Sequence, residues 1–363
     1  MKKWIAVGLT ALSFWTVGAA VSPENSFAKP SRTTRIDQDA TRARGRALKP
    51  GDCIGILAPA STWDKPDFDA AVKALRRMGY RLKFAPSCKK EFGYFSGTDA
   101  ERAADLNRFF ADDEVDAILC VRGGYGSARI LDKLDYAKIA RHPKQFIGFS
   151  DITALHIALG DKSGIATIHG PVLLSFADGV NRANYTDGNF FKGLSGKLFP
   201  GEIPMPAGKR LQTLYPGEAT GVIVGGNLSL IASLVGTPYE LKGDGALLFI
   251  EEIDTYTYQI DRMLWQLWES GLLQRVDGIL IGNITGADDD YEEGDFRLED
   301  VLRQYAELIR KPMIVGVPAG HGGDNLYLPL GVRAVMKANK DGKASLRIDE
   351  APVLPSKQGT VTK

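Results

Sequence analysis

The chain has 363 residues, 44% of them apolar, and its 45 Lys and Arg against 44 Asp and Glu leave a formal charge of +1. That is enough apolar material for a sizeable core spread over two domains. The balanced charge excludes recognition of nucleic acid, or of an acidic partner, by bulk electrostatics.

At the N-terminus, Lys2-Lys3 precede an apolar run from Trp4 to Val21, and Ser26-Phe27-Ala28 places small residues at the two positions that determine cleavage. This predicts an export signal over residues 1–28, cut near Ala28 or alternatively Ala20. Thr10, Ser13 and Thr16 within the run weigh against a stable membrane anchor, and no later stretch reaches the ~20 apolar residues a span needs. No cysteine follows either cut, which argues against a lipid anchor. Residues 29–48, rich in Arg, Ser and Thr, read as a mobile, solvated arm.

Residues 49–180 alternate strands with helices. Cys53 to Pro59 is a short apolar run ended by proline, and Ala117 to Val121 and Phe146 to Phe149 are similar; each suits a buried parallel strand. Shorter strands are expected at Arg81 to Ala85 and Gly164 to His169. Helices are expected at Pro66 to Met78, Ala100 to Phe110, Ser127 to Leu134 and Ile152 to Leu159. The pattern predicts a doubly wound parallel sheet, whose sites lie beyond the carboxyl ends of the strands. Residues 181–216, with scattered Asn, Gly, Lys and Pro, read as an interdomain connection. A second unit over 217–352 has strand patterns at 221–226, 246–250, 278–282 and 313–317. It also has an amphipathic helix from Gln259 to Gly271, with Trp265 and Trp268 expected in the core. Residues 353–363 read as a disordered tail.

Three strands end in a residue able to do chemistry. Strand 146–149 delivers Ser150 on a tight turn that opens a helix, which is how a hydrolase exposes a nucleophile. Strand 246–250 delivers Glu251, with Glu252 next to it. Strand 313–317 runs through Pro318-Ala319-Gly320 into His321, which is followed by two more glycines. Of the four histidines, His142 reads as a solvated loop residue and His156 as a satisfied helix residue. His169 reads as a cleft residue or a turn cap, and His321 has the best context for a general base. The chain order Ser, Glu, His is one of the known triad orders. Backbone N–H groups of Asp151 and of Gly124, within Arg122-Gly123-Gly124-Tyr125-Gly126, are the expected oxyanion donors. The glycine stretch matches neither nucleotide fingerprint. Arg122 is a candidate grip for a substrate carboxylate, and Asn227 a further candidate substrate contact. Asp288-Asp289-Asp290 with Glu292, Glu293 and Asp295 lacks EF-hand spacing and reads as a solvated acidic loop. Cys53, Cys88 and Cys120 have neither the spacing of a zinc site nor the even count of a disulfide framework, and Cys120 reads as a buried small hydrophobe. Neither a metal nor a cofactor is expected.

Taken together, Arg122 to Gly126, Gly148 to Thr153, Gly225-Gly226-Asn227-Leu228, Glu251 with Ile260 to Leu264, Gly320 to Asn325 and Leu328 to Gly331 resemble the LD-carboxypeptidases. These are serine peptidases grouped with the microcin C self-immunity hydrolases. The resemblance runs from about Asp52 to Ile348. It implies a Ser150–Glu251–His321 triad assembled across two domains: a flavodoxin-like α/β unit, and a mixed unit built around a β-barrel-like sheet. It also implies a homodimer, and a murein tetrapeptide or muropeptide substrate that loses its terminal D-alanine. Cytoplasmic action is common in the family, whereas the export signal here places the protein in the periplasm. A related amidase acting on peptidyl-nucleotides is the neighbouring alternative. A periplasmic solute-binding protein is the rival from another class.

Overall fold

The computed structural model describes residues 42–356. The expected signal segment 1–28 lies outside the described residues, as do arm residues 29–41 and tail residues 357–363.

The first half builds five parallel strands: β1 (Cys53–Leu57), β2 (Arg81–Phe84), β3 (Ala117–Cys120), β4 (Gln145–Gly148) and β5 (Thr167–His169). β1, β3 and β4 are buried along their whole length, as their uninterrupted apolar runs require when helices cover both faces. The strand order 2-1-3-4-5 is that of a flavodoxin-like sheet. α1 (Lys65–Arg77) and α2 (Asp99–Ala111) have clear local causes. Pro66 sits in the first turn of α1, and Thr98 and Glu101 close a capping box on α2. The stretch 127–134, expected as a helix, is a 3-10 turn from Ser127 to Lys133, followed by α3 (Tyr136–Arg141). α4 (Thr153–Ser163) follows β4 and is buried on nearly every side, so its sequence shows no amphipathic period.

Residues 181–216 hold more than a connection. α5 (Tyr185–Leu194) is capped by Asn184, and β6 (Gly201–Glu202) and β7 (Gln212–Tyr215) are edge strands of a second sheet. That sheet continues with β8 (Gly217–Asn227), followed by α6 (Leu228–Ser233), and then β9 (Leu247–Ile253). Next come α7 (Thr257–Glu269), α8 (Leu272–Arg275), β10 (Gly278–Thr285), α9 (Leu298–Ile309) and β11 (Met313–Val315). β12 (Leu328–Leu330) leaves this sheet and pairs antiparallel with β5, so the C-terminal half supplies the sixth strand of the first sheet. β13 (Arg333–Ala338) and β14 (Ala344–Ile348) return to the second sheet as a hairpin. The second sheet has the order β6-β14-β13-β8-β9-β10-β11-β7, with β8 to β11 parallel at its centre. It curls without closing. Gln212 of the β7 edge makes an isolated bridge to Lys343, and Thr213 donates its amide to the Gly342 carbonyl in the hairpin turn.

Three expectations are corrected. The arm is not mobile throughout: its last residues form a packed strap, with Ala43 bridging Ile165 and Leu48 buried. Arg42 lies within reach of Asp161 (3.5 Å). The start of the tail is ordered too, because Val353 is buried and Leu354 exchanges backbone hydrogen bonds with Gly45 and Ala47. Trp265 is not a core residue. α7 buries Ile260, Leu264 and Leu267 and turns Trp265 to solvent at 53% exposure, while Trp268 packs against the core as expected.

Candidate active site

β4 ends at Gly148, Phe149 is extended, and Ser150 adopts φ +66° before a short 3-10 turn leads into α4. A non-glycine residue in the left-handed region costs about 1–2 kcal/mol and persists only where its surroundings enforce it. Here the enforcement is visible. The buried Asp151 carboxylate accepts the amides of Ser127 (2.8 Å) and Gly126 (3.3 Å), and the Ser127 hydroxyl donates to the Asp151 carbonyl. The glycine loop after β3 is therefore bolted to the serine turn. Burial raises the Asp151 carboxyl above its ordinary range despite these donors.

Gly123 completes the contact: a Cβ there would stand 2.8 Å from Ser150 Cβ and 3.1 Å from the Asp151 nitrogen. Neither neighbour can yield without moving the serine. Gly123→Ala is therefore expected to lower kcat by about a hundredfold or more, the usual cost of an ångström of misplacement. Steady-state kinetics alongside a thermal melt checks this, and unchanged kcat would rule out the close approach.

Behind the turn, Nε2 of buried His156 donates to the Gly148 carbonyl at 2.9 Å. Burial lowers its pKa to about 4. The unfolded chain therefore binds a proton at this residue, near its ordinary 6.5, that the native state refuses. Stability contributed here is full above pH 6.5 and falls as pH drops towards 4, by roughly 3 kcal/mol in all. Urea unfolding at pH 7 and pH 4.5 should show a smaller loss in His156→Gln than in the parent. An equal loss would contradict the assignment.

The candidate acid and base come from the second half of the chain, Glu251 on β9 and His321 in the loop between β11 and β12. Successive side chains of a strand point to opposite faces, and β9 uses this to separate its two glutamates. Glu251 is fully buried and accepts the Nδ1–H of His321 at 2.7 Å. Its carboxyl is raised by burial and partly held down by that hydrogen bond. Glu252 instead accepts from the Asn227 side chain (2.9 Å) and from the Ser229 amide and hydroxyl (both 2.7 Å), anchoring the first turn of α6. Gly320, at φ +110°, gives Glu251 its room, since a Cβ would lie 2.6 Å from Oε2. The loop is held by Asn325, whose Oδ1 accepts the Gly320 amide, and by Asn283, which donates to the Asp324 carbonyl.

Two contacts bring the serine turn and the acid–base pair together. The rings of Phe149 and His321 have centroids 4.8 Å apart. The Asn227 amide, in register with Glu251 across β8 and β9, donates to the Thr153 hydroxyl at the start of α4 (2.9 Å). A cavity of about 380 Å³ opens beside His321, lined by Phe149, Tyr185, Thr186 and Asp324.

The other expected residues divide. Gly124 faces Ser61, whose hydroxyl accepts the Tyr125 amide, and Arg122 is exposed and donates to the Thr62 carbonyl (3.3 Å), both on the rim of the site. Asn227 is 3% exposed, and its side chain donates to Glu252 (2.9 Å) and also hydrogen-bonds to Glu251. His142 is half-buried, and His169 is fully buried against Phe149 and Phe249. Asp288 receives the Thr257 hydroxyl and the Leu298 amide, so part of the acidic loop has a structural task. The three cysteines are buried and unpaired. Among the described residues, no group of three or more His, Cys, Asp or Glu is placed to hold a metal. Gly123, the Asp151 carboxylate, Asn283 and Asn325 were not singled out from sequence; only the glycine of the first carries a local signal.

Comparison with known proteins adds an independent finding. Residues 54–170 match the model of the LD-carboxypeptidase N-terminal domain, and residues 220–336 match that of the LD-carboxypeptidase C-terminal domain. A Bacillus subtilis protein described as a probable murein peptide carboxypeptidase is 39% identical over 302 residues, covering 80% of this chain and 90% of its own. The murein tetrapeptide carboxypeptidase of Pseudomonas aeruginosa is 30% identical, covering 79% and 94%. Among solved structures, an MccF-like protein from Bacillus anthracis superposes with a TM-score of 0.75 at 30% identity, over 84% of this chain and 98% of its own. The muramoyltetrapeptide carboxypeptidase of Oxalobacter formigenes superposes at 0.72 and 28% identity, over 84% and 100%.

Proposed function

The chain belongs to the LD-carboxypeptidase family, and from that premise we propose that it removes the terminal D-alanine from murein tetrapeptide stems with Ser150, His321 and Glu251. The buried Glu251–His321 hydrogen bond, with the His321 ring 4.8 Å from that of Phe149, the residue before Ser150 at φ +66°, is the observation that carries this reading. With Nδ1–H committed to the carboxylate, Nε2 of His321 is the free base. Ser150 Oγ attacks the scissile carbonyl and its proton passes to Nε2. The tetrahedral intermediate then expels the D-alanine amine, which takes that proton, and leaves an acyl-serine that water hydrolyses by the same relay. The amides of Gly124 and Asp151 hold the oxyanion. Gly123 turns its carbonyl towards the Ser61 amide (3.4 Å), and in a trans peptide the following N–H points the opposite way. Arg122 on the rim is the cation available to a substrate carboxylate.

Mass spectrometry of purified tetrapeptide after incubation tests the reading: tripeptide and free D-alanine are expected. Cleavage of a peptidyl-nucleotide with tetrapeptide untouched would move the chain to the related amidases. Saturable binding without any product would sink the enzymatic reading. Export rests on the sequence of residues 1–28, and the expected finding is a periplasmic protein with a mature N-terminus close to residue 29. The family resemblance supports a homodimer, for which light scattering should give twice the mass of the chain.

A further inference from the structure

Arg102, near the start of α2, is completely buried. A guanidinium taken out of water persists only where its charge is paired and its N–H groups are hydrogen-bonded. Nη2 pairs with the Asp99 carboxylate, and Nε donates to the Gly97 carbonyl (3.3 Å). Nη1 donates to two carbonyls, those of Pro59 and Gly126, the second at 2.9 Å. The guanidinium carbon also stands 4.7 Å from the centroid of the Phe95 ring. Three loops therefore meet on one side chain: Pro59 follows β1, Gly97 precedes α2, and Gly126 ends the glycine stretch after β3.

That glycine stretch carries the expected oxyanion donor, the Gly124 amide. Gly126 is held at both of its backbone groups, the N–H by the Asp151 carboxylate (3.3 Å) and the carbonyl by Arg102. It adopts φ +125°, and a Cβ there would stand 2.6 Å from the Phe95 ring and 3.0 Å from Nη1 of Arg102. On its other side the stretch rests on Ser61, whose hydroxyl accepts the Tyr125 amide (2.9 Å) and whose amide donates to the Gly123 carbonyl (3.4 Å). Ser61 lies two residues beyond Pro59. Both supports of Gly124 thus lead back to the same nitrogen of Arg102. A planar fork of N–H groups fixes the spacing of its acceptors, which the single ammonium of a lysine does not.

We propose that Arg102 is a positioning residue for catalysis: by holding Pro59 and Gly126 together it keeps the Gly124 amide at hydrogen-bonding distance from the oxyanion formed when Ser150 attacks. The proposal rests on the Ser150 mechanism above, and it is independent of which peptide is cleaved. Arg102 touches no substrate and acts through the loop, so its loss lowers kcat and leaves KM in place.

The test compares Arg102→Lys, Arg102→Met and Asp99→Asn with the parent. Three quantities are read: kcat and KM on tetrapeptide, the melting temperature, and the rate at which a fluorophosphonate labels Ser150. In that labelling the serine Oγ–P bond forms as fluoride leaves, with no murein group involved. Arg102→Lys is expected to lower both kcat and labelling about tenfold, and Arg102→Met about a hundredfold, with KM within about twofold of the parent. Asp99→Asn keeps an acceptor for Nη2 and leaves the carbonyl contacts in place. It should melt lower with both rates within about twofold of the parent, which separates loss of stability from loss of position. If the methionine variant fails to fold, the lysine variant carries the test. Parent-like kcat and labelling in Arg102→Lys overturn the proposal, as does an equal loss of rate in Asp99→Asn, or a raised KM at unchanged kcat. A parent that is labelled but releases no D-alanine sinks the murein reading alone, and the labelling rates then decide the role of Arg102. A parent that does neither removes the serine mechanism and this role with it.

Discussion

Ser150→Ala is expected to lower D-alanine release by about four to six orders of magnitude while the protein stays folded, because the nucleophile of a serine triad has no substitute within the site. The same residue allows a sharper test. At φ +66° every L side chain is strained, whereas glycine is not. Ser150→Gly should therefore abolish turnover and at the same time raise the melting temperature, by an amount corresponding to about 1 kcal/mol. Loss of activity together with gain of stability is the signature of strain held for function. Undiminished D-alanine release by the alanine variant would remove Ser150 from the mechanism, and a glycine variant that melts lower would show the turn to be unstrained.

Glu251→Gln is expected to lower kcat by about three to four orders of magnitude, since an amide leaves the geometry in place but no longer selects the tautomer or stabilises the imidazolium. Its effect on stability has the opposite sign. Burial raises the Glu251 carboxyl above its ordinary value, so between the two pKa values the native state holds a proton that the unfolded chain has released. The stability this provides is full below the unfolded value and is lost as pH rises through the folded one. At neutral pH the buried carboxylate is therefore a cost that glutamine avoids. The variant should melt no lower than the parent at pH 7, and any advantage should shrink towards pH 4. Melting curves at both pH values, with kcat measured at pH 7, check both halves. A variant with near-normal kcat would make Glu251 structural.

Much of the first sheet was legible because its strands are buried on both faces and so read as unbroken apolar runs, as at Ala117 to Cys120. The candidate residues Ser150 and Glu251 come directly after such a run, where chain direction carries a residue to the carboxyl edge, and His321 comes after a run and the turn Pro318-Ala319-Gly320. The strands of the second sheet with mixed environments were harder to see. β13 and β14 alternate buried and exposed positions over only a few residues, and β7 has no fully buried residue. The interdomain reading of 181–216 failed because α5 owes its place to packing against the first sheet's core. Phe190, Phe191 and Leu194 are buried there, though the segment is rich in Asn and Gly. The packed strap at 42–48 was hidden by its arginines, one of which reaches inward to Asp161.

The chemistry of Asn227 shows where one-dimensional reading stops. It is a candidate substrate contact by its place in Gly225-Gly226-Asn227-Leu228, and pairing across β8 and β9 sets its side chain against Glu252. Which glutamate meets the histidine, which glycine touches the serine, and whether the two sheets share a strand all depend on contacts between residues far apart in the chain.

By itself, the sequence determined the strand-ending residues able to do the chemistry, their order and the local turns that expose them, because apolar runs, glycines and chain polarity act over a few residues. Only the tertiary structure decided that Glu251 and His321 meet at 2.7 Å and that Asp151 bolts the glycine loop to the serine turn. Those are contacts between segments up to seventy residues apart, set by tertiary packing that no local pattern records.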